Sequence, residues 1–262
     1  MPELPDVQVF RSYVDATCLN QRIDDVHLRD ADGILDVSAG TLRRHLRGGA
    51  FRSTRRHGKH LFVAVDDDGW LRLHFGMTGF IEYFKASPEK VPDHTRLLLD
   101  FEGGYRMAFV NQRKLGAVDW TEDVDAWLEE EGLGPDAMEV GRGELAEMLD
   151  GGRGSLKGTL MNQELMAGLG NVYTDEILFQ AGLHPKRTAG EVGDETVALL
   201  HRVMGEVLRT SIDARVEDFP PDFLIPRREE GAECPRCGGT IEKTRVSGRP
   251  TYFCPDHQDG GG

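Results

Sequence analysis

The segment CPRCGGTIEKTRVSGRPTYFCPDH, residues 234–257, reads as C-x2-C-x16-C-x2-H. Three of the chain's four cysteines, Cys234, Cys237 and Cys254, fall in it, and His257 stands where a fourth sulfur would complete two facing knuckles. Ligands at that spacing suit one tetrahedral zinc ion, and a full set of protein ligands leaves no open position for a reactive water. The metal is therefore expected to be structural. The residues between the knuckles predict a strand, a turn at Ser247-Gly248 and a second strand. Arg245 and Arg249 would then project from a metal-stapled tip, and a rigid guanidinium fork suits phosphate. The competing reading, a disulfide or unrelated cysteines, fits poorly with a chain that shows no charged-then-apolar leader. Cys18 reads as a small buried hydrophobe.

The length of 262 residues suits two modest domains or one large one. No apolar run approaches the roughly 18 residues that cross a bilayer, so a cytosolic location and no membrane partner are expected. The net charge of −14 and pI near 5.1 argue at first sight against a polyanionic partner. Distribution matters more than the sum. From Val37 to Val65 there is no acid, while Arg43, Arg44, Arg47, Arg52, Arg55, Arg56 and Lys59 all fall there. The acids concentrate elsewhere, in Glu122, Asp123, Asp125, Glu129, Glu130 and Glu131. An acidic body with a basic face is expected; a merely solvated helix face is the plainer alternative. A salty cytoplasm would be one reason for so acidic a surface.

Along the chain, MPELPDV leads into a helix starting at Pro5 or Asp6, with Val7, Val9, Phe10 and Val14 at helical spacing. From Arg22 to Phe109 the dominant period is two. HLFVAV, WLRLHFG, FIEYF, TRLLLDF and YRMAFV read as strands, with turns at Asp67-Asp68-Gly69 and Glu102-Gly103-Gly104 and one helix over Ser38–Leu46. The pattern predicts a β-sandwich or barrel with helical additions. Beyond an acidic connection near residues 125–135 the period becomes helical, in GELAEMLDG, SLKGTLMNQELM, NVYTDEILFQAGL and GDETVALLHRVMGEVLRTSIDARV. MAGLG joins the middle two helices, and the glycine-freed amides that open the second are expected to seat a phosphate. An ordinary helical hairpin is the alternative there. Asp218 to Pro226 reads as a loop, and the tail 259–262 as disordered.

The chain resembles the formamidopyrimidine-DNA glycosylase / endonuclease VIII family of base-excision repair enzymes, nearly end to end. MPELPDV is similar to that family's amino terminus, RRHGKHLF to its glycine-lysine strand and LHFGMTG to its glycine-methionine turn. SLKGTLMNQELMAGLGNVYTDEILFQAGLHP resembles its helix–two-turn–helix, and the cysteine segment its zinc finger. The resemblance implies a multidomain α+β protein. Its parts would be an N-terminal β-sandwich with flanking helices over residues 1–125, a helical domain with the helix–two-turn–helix over 126–224, and the zinc finger over 225–262. It also implies a monomer acting on damaged double-stranded DNA. Such an enzyme is both a DNA glycosylase, which is a hydrolase, and a lyase at abasic sites.

In that family the nucleophile is an N-terminal proline, here Pro2 once Met1 is removed. An α-amino group titrates near 8 against roughly 10.4 for lysine, so a useful fraction is neutral at neutral pH. A secondary amine on the sugar C1′ gives an iminium, an electron sink that permits β-elimination of the 3′-phosphate and then a further elimination on the other side. Glu3 is the implied general acid/base. Asp6, where the family usually has glutamate, would orient the amine with one methylene less. Lys59 is implied to contact phosphate or base. His74, Lys157 and Asn171 match phosphate contacts, and Arg249 matches the finger arginine that aids elimination. These cations would converge in a cleft between the domains. The damaged base must leave the stack, and Met77, Arg113 and Leu115 match the side chains that wedge into the hole.

Some positions depart from the pattern. Purine-selective members usually carry phenylalanine at Leu115 and aspartate at Asn111. Their long lid over the flipped base corresponds here to VEDFPPDFLIPRREEGAE, short and proline-rich. The lesion class therefore stays open, although MPELP favours the formamidopyrimidine branch. The alternatives are a non-catalytic zinc-containing protein that binds lesions or abasic sites, and an RNA-binding finger.

Overall fold

The computed structural model describes residues 1–87 and 91–258, so the tail 259–262 lies outside the described residues. The chain forms two compact units. The first holds Met1–Pro2 and Asp6–Gly132, and the second holds Glu3–Pro5 with the chain from Leu133 onward.

The first unit contains most of helix α1 (Leu4–Thr17), then β1 (Ile23–Leu28), α2 (Ala39–Leu46), β2 (Phe51–His57), β3 (His60–Val65), β4 (Gly69–His74), β5 (Phe80–Lys85), β6 (Thr95–Phe101), β7 (Tyr105–Val110), β8 (Ala117–Thr121) and α3 (Val124–Glu130). The strands make two four-stranded antiparallel sheets in the orders β1-β6-β7-β5 and β2-β3-β4-β8. This is a sandwich, as the period of two requires. Its core takes Phe51, Leu61, Val63, Leu71 and Leu73 from one sheet and Ile23, Leu97, Leu99, Met107 and Phe109 from the other. Val7 and Val14 of α1 and Leu42 and Leu46 of α2 pack into the same core. Helix α1 starts at Leu4, a residue or two before the expected Pro5 or Asp6. Strand β3 is buried on both faces because Trp127 of α3 covers the outer one, packing on Phe62 and under the Arg72 guanidinium. Arg72 is buried and held by Asp119 at 3.1 Å and Asp36 at 2.5 Å.

Three of the seven cations in the basic stretch are paired with acids from outside it. Arg47 reaches Asp25 at 3.7 Å, Arg52 reaches Asp66 at 2.7 Å and Arg55 reaches Asp125 at 2.6 Å. The absence of acids between Val37 and Val65 thus overstated the free positive charge; Arg43 and Arg44 remain exposed on α2.

The second unit contains α4 (Arg142–Leu149), α5 (Leu156–Leu160), α6 (Asn171–Gln180), α7 (Asp194–Asp213) and the hairpin β9 (Glu242–Val246) with β10 (Arg249–Phe253). One apolar core joins the helices, through Leu145, Leu149, Leu160, Ile177, Leu200 and Leu208, and it includes Leu4. Helix α5 stops at Leu160, well before the expected Met166. Side chains hold the intervening loop in turns instead of helix. Gln163 donates to the carbonyls of Met161 (2.8 Å) and Leu169 (2.7 Å) and accepts from Gly168 N (3.1 Å). Asn162 Oδ1 accepts from Glu164 N at 3.1 Å. Among the described residues no helix is long and apolar enough to cross a membrane.

Candidate functional site

In the second unit the Glu3 carboxylate is buried at the N-terminus of α6. It accepts from Gly170 N (2.8 Å), Val172 N (2.9 Å) and Tyr173 N (3.2 Å). Side-chain carboxylates suit this position because the first amides of a helix have no intrahelical partner and the dipole is positive there. The expected phosphate seat on these amides is therefore corrected: an internal carboxylate already fills it. Gly170 makes the approach possible, since a Cβ there would lie 2.5 Å from Glu3 Cδ.

Asn171 opens α6 and donates from Nδ2 to the Pro250 carbonyl at 3.0 Å. Its Oδ1 is buried without a hydrogen-bond partner among the described residues. Lys157, expected to touch phosphate, has a wholly buried side chain. Its Nζ donates to Asp175 Oδ1 (2.6 Å) and Thr251 Oγ1 (2.6 Å). The side chain thus serves the interior, and direct phosphate contact through it is corrected. Burial lowers the pKa of the ammonium and raises that of the Asp175 carboxyl, and the contact between the two opposes both shifts.

The hairpin turns at Ser247 (φ 48°) and Gly248 (φ 75°), two successive left-handed residues as a two-residue hairpin turn prefers. Arg245 and Arg249 are both exposed, as the sequence pattern required. At the base of the hairpin the sulfurs of Cys234, Cys237 and Cys254 lie within 4.8 Å of one another. Three thiols so clustered match the donor chemistry of zinc. His257 is not in this cluster. Its Nε2 lies 2.9 Å from the Phe179 carbonyl and its ring packs on the Phe179 ring at 4.8 Å. Of the four ligands read from spacing the structure groups the three thiols, while the imidazole meets a carbonyl through Nε2 and an aromatic face.

In the first unit, Pro2 is half-buried next to an exposed Met1, and Asp6 is half-buried in the first turn of α1. Lys59, half-buried, sits in the two-residue turn between the paired His57 and His60. His74 pairs in register with His60, and the two rings stack at 4.9 Å. Burial, then Arg72 and Lys59, bring His74 down to about 4; burial, then His74 and Arg72, hold His60 well below the usual imidazole range. His74 is thus a neutral ring, able to donate one N–H.

Met77, Arg113 and Leu115 are exposed on two loops that lean on each other. Buried Asn111 straps them together: Nδ2 donates to the Phe75 carbonyl (2.9 Å) and Oδ1 accepts from Leu115 N (3.3 Å). Gly76 (φ 59°) permits the contact, since a Cβ there would lie 2.3 Å from the Leu115 carbonyl oxygen. The structure therefore brings Lys59 close to His74, and Met77 to Arg113 and Leu115, in one unit. In the other it joins Glu3, Asn171, Lys157 and the Arg249 hairpin.

Sequence reasoning missed Asp175, Glu176, Arg228, Gln163, Thr251 and Gln258. A signal existed for the first two: acids set between Val172-Tyr173 and Ile177-Leu178-Phe179 in a short helix have apolar neighbours on both sides, and such acids, once buried, must be paired. Glu176 accepts from Leu224 N (3.1 Å) and Ile225 N (2.7 Å), and burial raises it to about 7. The proline-rich segment is folded inward as well, with Phe223 and Leu224 buried.

Comparison with known proteins identifies this combination of a β-sandwich, a helical unit and a cysteine-clustered hairpin. Residues 1–118 match the formamidopyrimidine-DNA glycosylase N-terminal domain, 132–218 its H2TH domain, and 231–256 the zinc finger found in FPG and IleRS. The formamidopyrimidine-DNA glycosylase of Geobacter metallireducens is 35% identical over 97% of this chain and 98% of its own. That of Gluconobacter oxydans is 32% identical over 98% of this chain and 100% of its own. The Lactococcus lactis enzyme, solved non-covalently bound to DNA containing an AP site, superposes with TM-score 0.88 at 25% identity, covering 99% of this chain and 100% of that one. MutM in complex with DNA containing carbocyclic 8-oxo-G gives TM-score 0.88 at 26% identity, with the same coverage. The chain belongs to the formamidopyrimidine-DNA glycosylase family.

Proposed function

We propose that this protein excises an oxidised base from duplex DNA and then cleaves the strand as an AP lyase. The observation that carries the reading is Glu3, buried on three α6 amides directly after Pro2 in the chain. Removal of Met1 would free the Pro2 imino nitrogen. It would displace the base at C1′, the base leaving with a proton; the C1′–O4′ bond would then open, O4′ taking a proton through Glu3, to give an iminium whose C2′ proton is acidic enough for β-elimination of the 3′-phosphate. Glu3 would serve as the acid/base partner, fixed so that it need not reorganise during the reaction. Asp6 would orient the amine. Arg249, Asn171 and the Lys59–His74 pair would take the phosphates. Met77, Arg113 and Leu115 would fill the space left by the flipped base.

Cys234, Cys237 and Cys254 would hold one structural zinc, with His257 completing the set through Nδ1 after a turn of its ring. A bound dication would keep the thiols ionised and staple the hairpin base. Because Phe223 and Leu224 are buried, the segment after α7 supports a reading without a lid over the base, and hence a preference for ring-opened or pyrimidine lesions over 8-oxoguanine.

Borohydride trapping on a duplex with an abasic site tests the chemistry, with mass spectrometry to establish that Met1 is gone. Wild type is expected to form a covalent adduct and Pro2→Gly to form far less. Equal trapping by both would exclude Pro2 as the nucleophile. A cleavage panel over 8-oxoguanine, formamidopyrimidines, oxidised pyrimidines and abasic sites decides the lesion class.

A further inference from the structure

A two-stranded hairpin is marginally stable alone, and zinc would fix only the base of this one. Its distal half is held differently. The backbone or side chain of every residue from Arg249 to Tyr252 is gripped. Thr251 Oγ1 contacts the Arg249 carbonyl at 3.1 Å. The Pro250 carbonyl accepts from Asn171 Nδ2 (3.0 Å) and Lys157 Nζ (3.4 Å). Thr251 Oγ1 meets Lys157 Nζ at 2.6 Å, and Tyr252 N donates to Asp175 Oδ2 at 3.2 Å.

These contacts converge on one carboxylate. Asp175 Oδ1 takes Lys157 Nζ at 2.6 Å, while Oδ2 takes Arg228 Nε (3.0 Å) and Nη2 (2.7 Å) as well as the Tyr252 amide. The Arg228 guanidinium also lies over the Tyr252 ring, 4.6 Å from its centroid. The Asp175 side chain is wholly buried, and among the described residues its hydrogen bonds all fall within this cluster. One anion on α6 thus ties α5, the segment after α7 and strand β10 together.

We propose that Asp175 is a positioning residue: by locking β10 onto α6 it fixes where Arg249 presents its guanidinium to DNA phosphates. It acts through the hairpin and touches no substrate. The inference rests on the reading of Arg249 as a phosphate contact, and the experiment separates the two.

Asp175→Asn, Arg249→Ala and the double variant are compared with wild type in two measurements. Fluorescence anisotropy reads affinity for a duplex carrying an abasic analogue across several salt concentrations. Hydrogen exchange, without DNA, reads β9–β10, with metal analysis verifying zinc retention. Arg249→Ala is expected to weaken binding by about tenfold and to lower the salt slope by about one phosphate contact. Asp175→Asn is expected to cause a similar loss and to speed exchange across β10 with zinc retained. The double variant is expected to bind no worse than Arg249→Ala alone, since a misplaced arginine and a missing one are equivalent. Losses that multiply in the double variant, or unchanged exchange in Asp175→Asn, overturn the proposal. Removing a partner from a buried ion pair can prevent folding. Thr251→Val then replaces Asp175→Asn: it keeps the pair, cuts the Lys157–Thr251 bond while leaving the longer one to the Pro250 carbonyl, and is held to the same two outcomes with smaller changes. If Arg249→Ala binds like wild type, the phosphate reading fails, and the exchange data alone decide whether Asp175 anchors the hairpin.

Discussion

Glu3 Oε2 accepts the Gly170 amide proton at 2.8 Å, joining residues 167 positions apart in the chain. That single contact explains why the opening of α6 carries glycine. The amides there receive an internal carboxylate, and any side chain at 170 would press on it. Gly170→Ala, with its Cβ 2.5 Å from Glu3 Cδ, should displace the carboxylate. A displacement on the order of 1 Å costs about 100-fold in rate. Cleavage of an abasic duplex is expected to fall by that order while circular dichroism and zinc content hold; full activity would show that the placement of Glu3 is immaterial.

Glu3→Gln keeps the shape but sets an NH2 group against N–H donors. The variant should lose about 1–3 kcal/mol of stability, the usual cost of leaving a buried polar group unsatisfied. Urea melts of the two proteins measure it, and an unchanged unfolding free energy would mean that the amides are indifferent to the carboxylate.

The stacked His60 and His74 predict acid sensitivity in the first unit. Unfolded, each ring takes a proton near pH 6.5. Folded, His74 stays neutral down to about pH 4, and His60 too is held well below the normal value. The stabilisation is complete above the unfolded pKa and drains away as pH falls from about 6.5 towards about 4, up to about 3 kcal/mol for His74. Denaturant melts at a series of pH values should show this decline, and His74→Asn should make it shallower. A wild type equally stable at both ends of the window would contradict it.

Metal removal tests the hairpin's other anchor. Chelation, or Cys237→Ala, should release zinc, loosen β9–β10 and weaken duplex binding about as much as Arg249→Ala does. Metal analysis paired with anisotropy is the check. Intact affinity in zinc-free protein would show that the Asp175 cluster alone suffices to hold the strand.

What could be read in advance followed from local rules. The strands were legible because alternation of apolar residues in HLFVAV or TRLLLDF is a property of each segment by itself. The hairpin turn was legible because Ser247-Gly248 suits two positive φ angles. What escaped depended on distant partners. Helix α5 ends early because Gln163 bonds carbonyls across the loop, and no periodicity registers that. The α6 amides looked available because their occupant comes from the far end of the chain. The family resemblance marked Lys157 as a phosphate contact, and nothing local in the sequence showed that Asp175 and Thr251 enclose it after folding. Ligand spacing alone likewise could not tell a histidine facing the sulfurs from one bonded to Phe179.

The arginines of α2, β2 and their flanks, where Arg47, Arg52 and Arg55 are each matched by an aspartate, bear on how this protein surveys a genome. Cations already occupied at home would release fewer counterions on meeting DNA, which predicts a shallow salt dependence for binding to undamaged duplex.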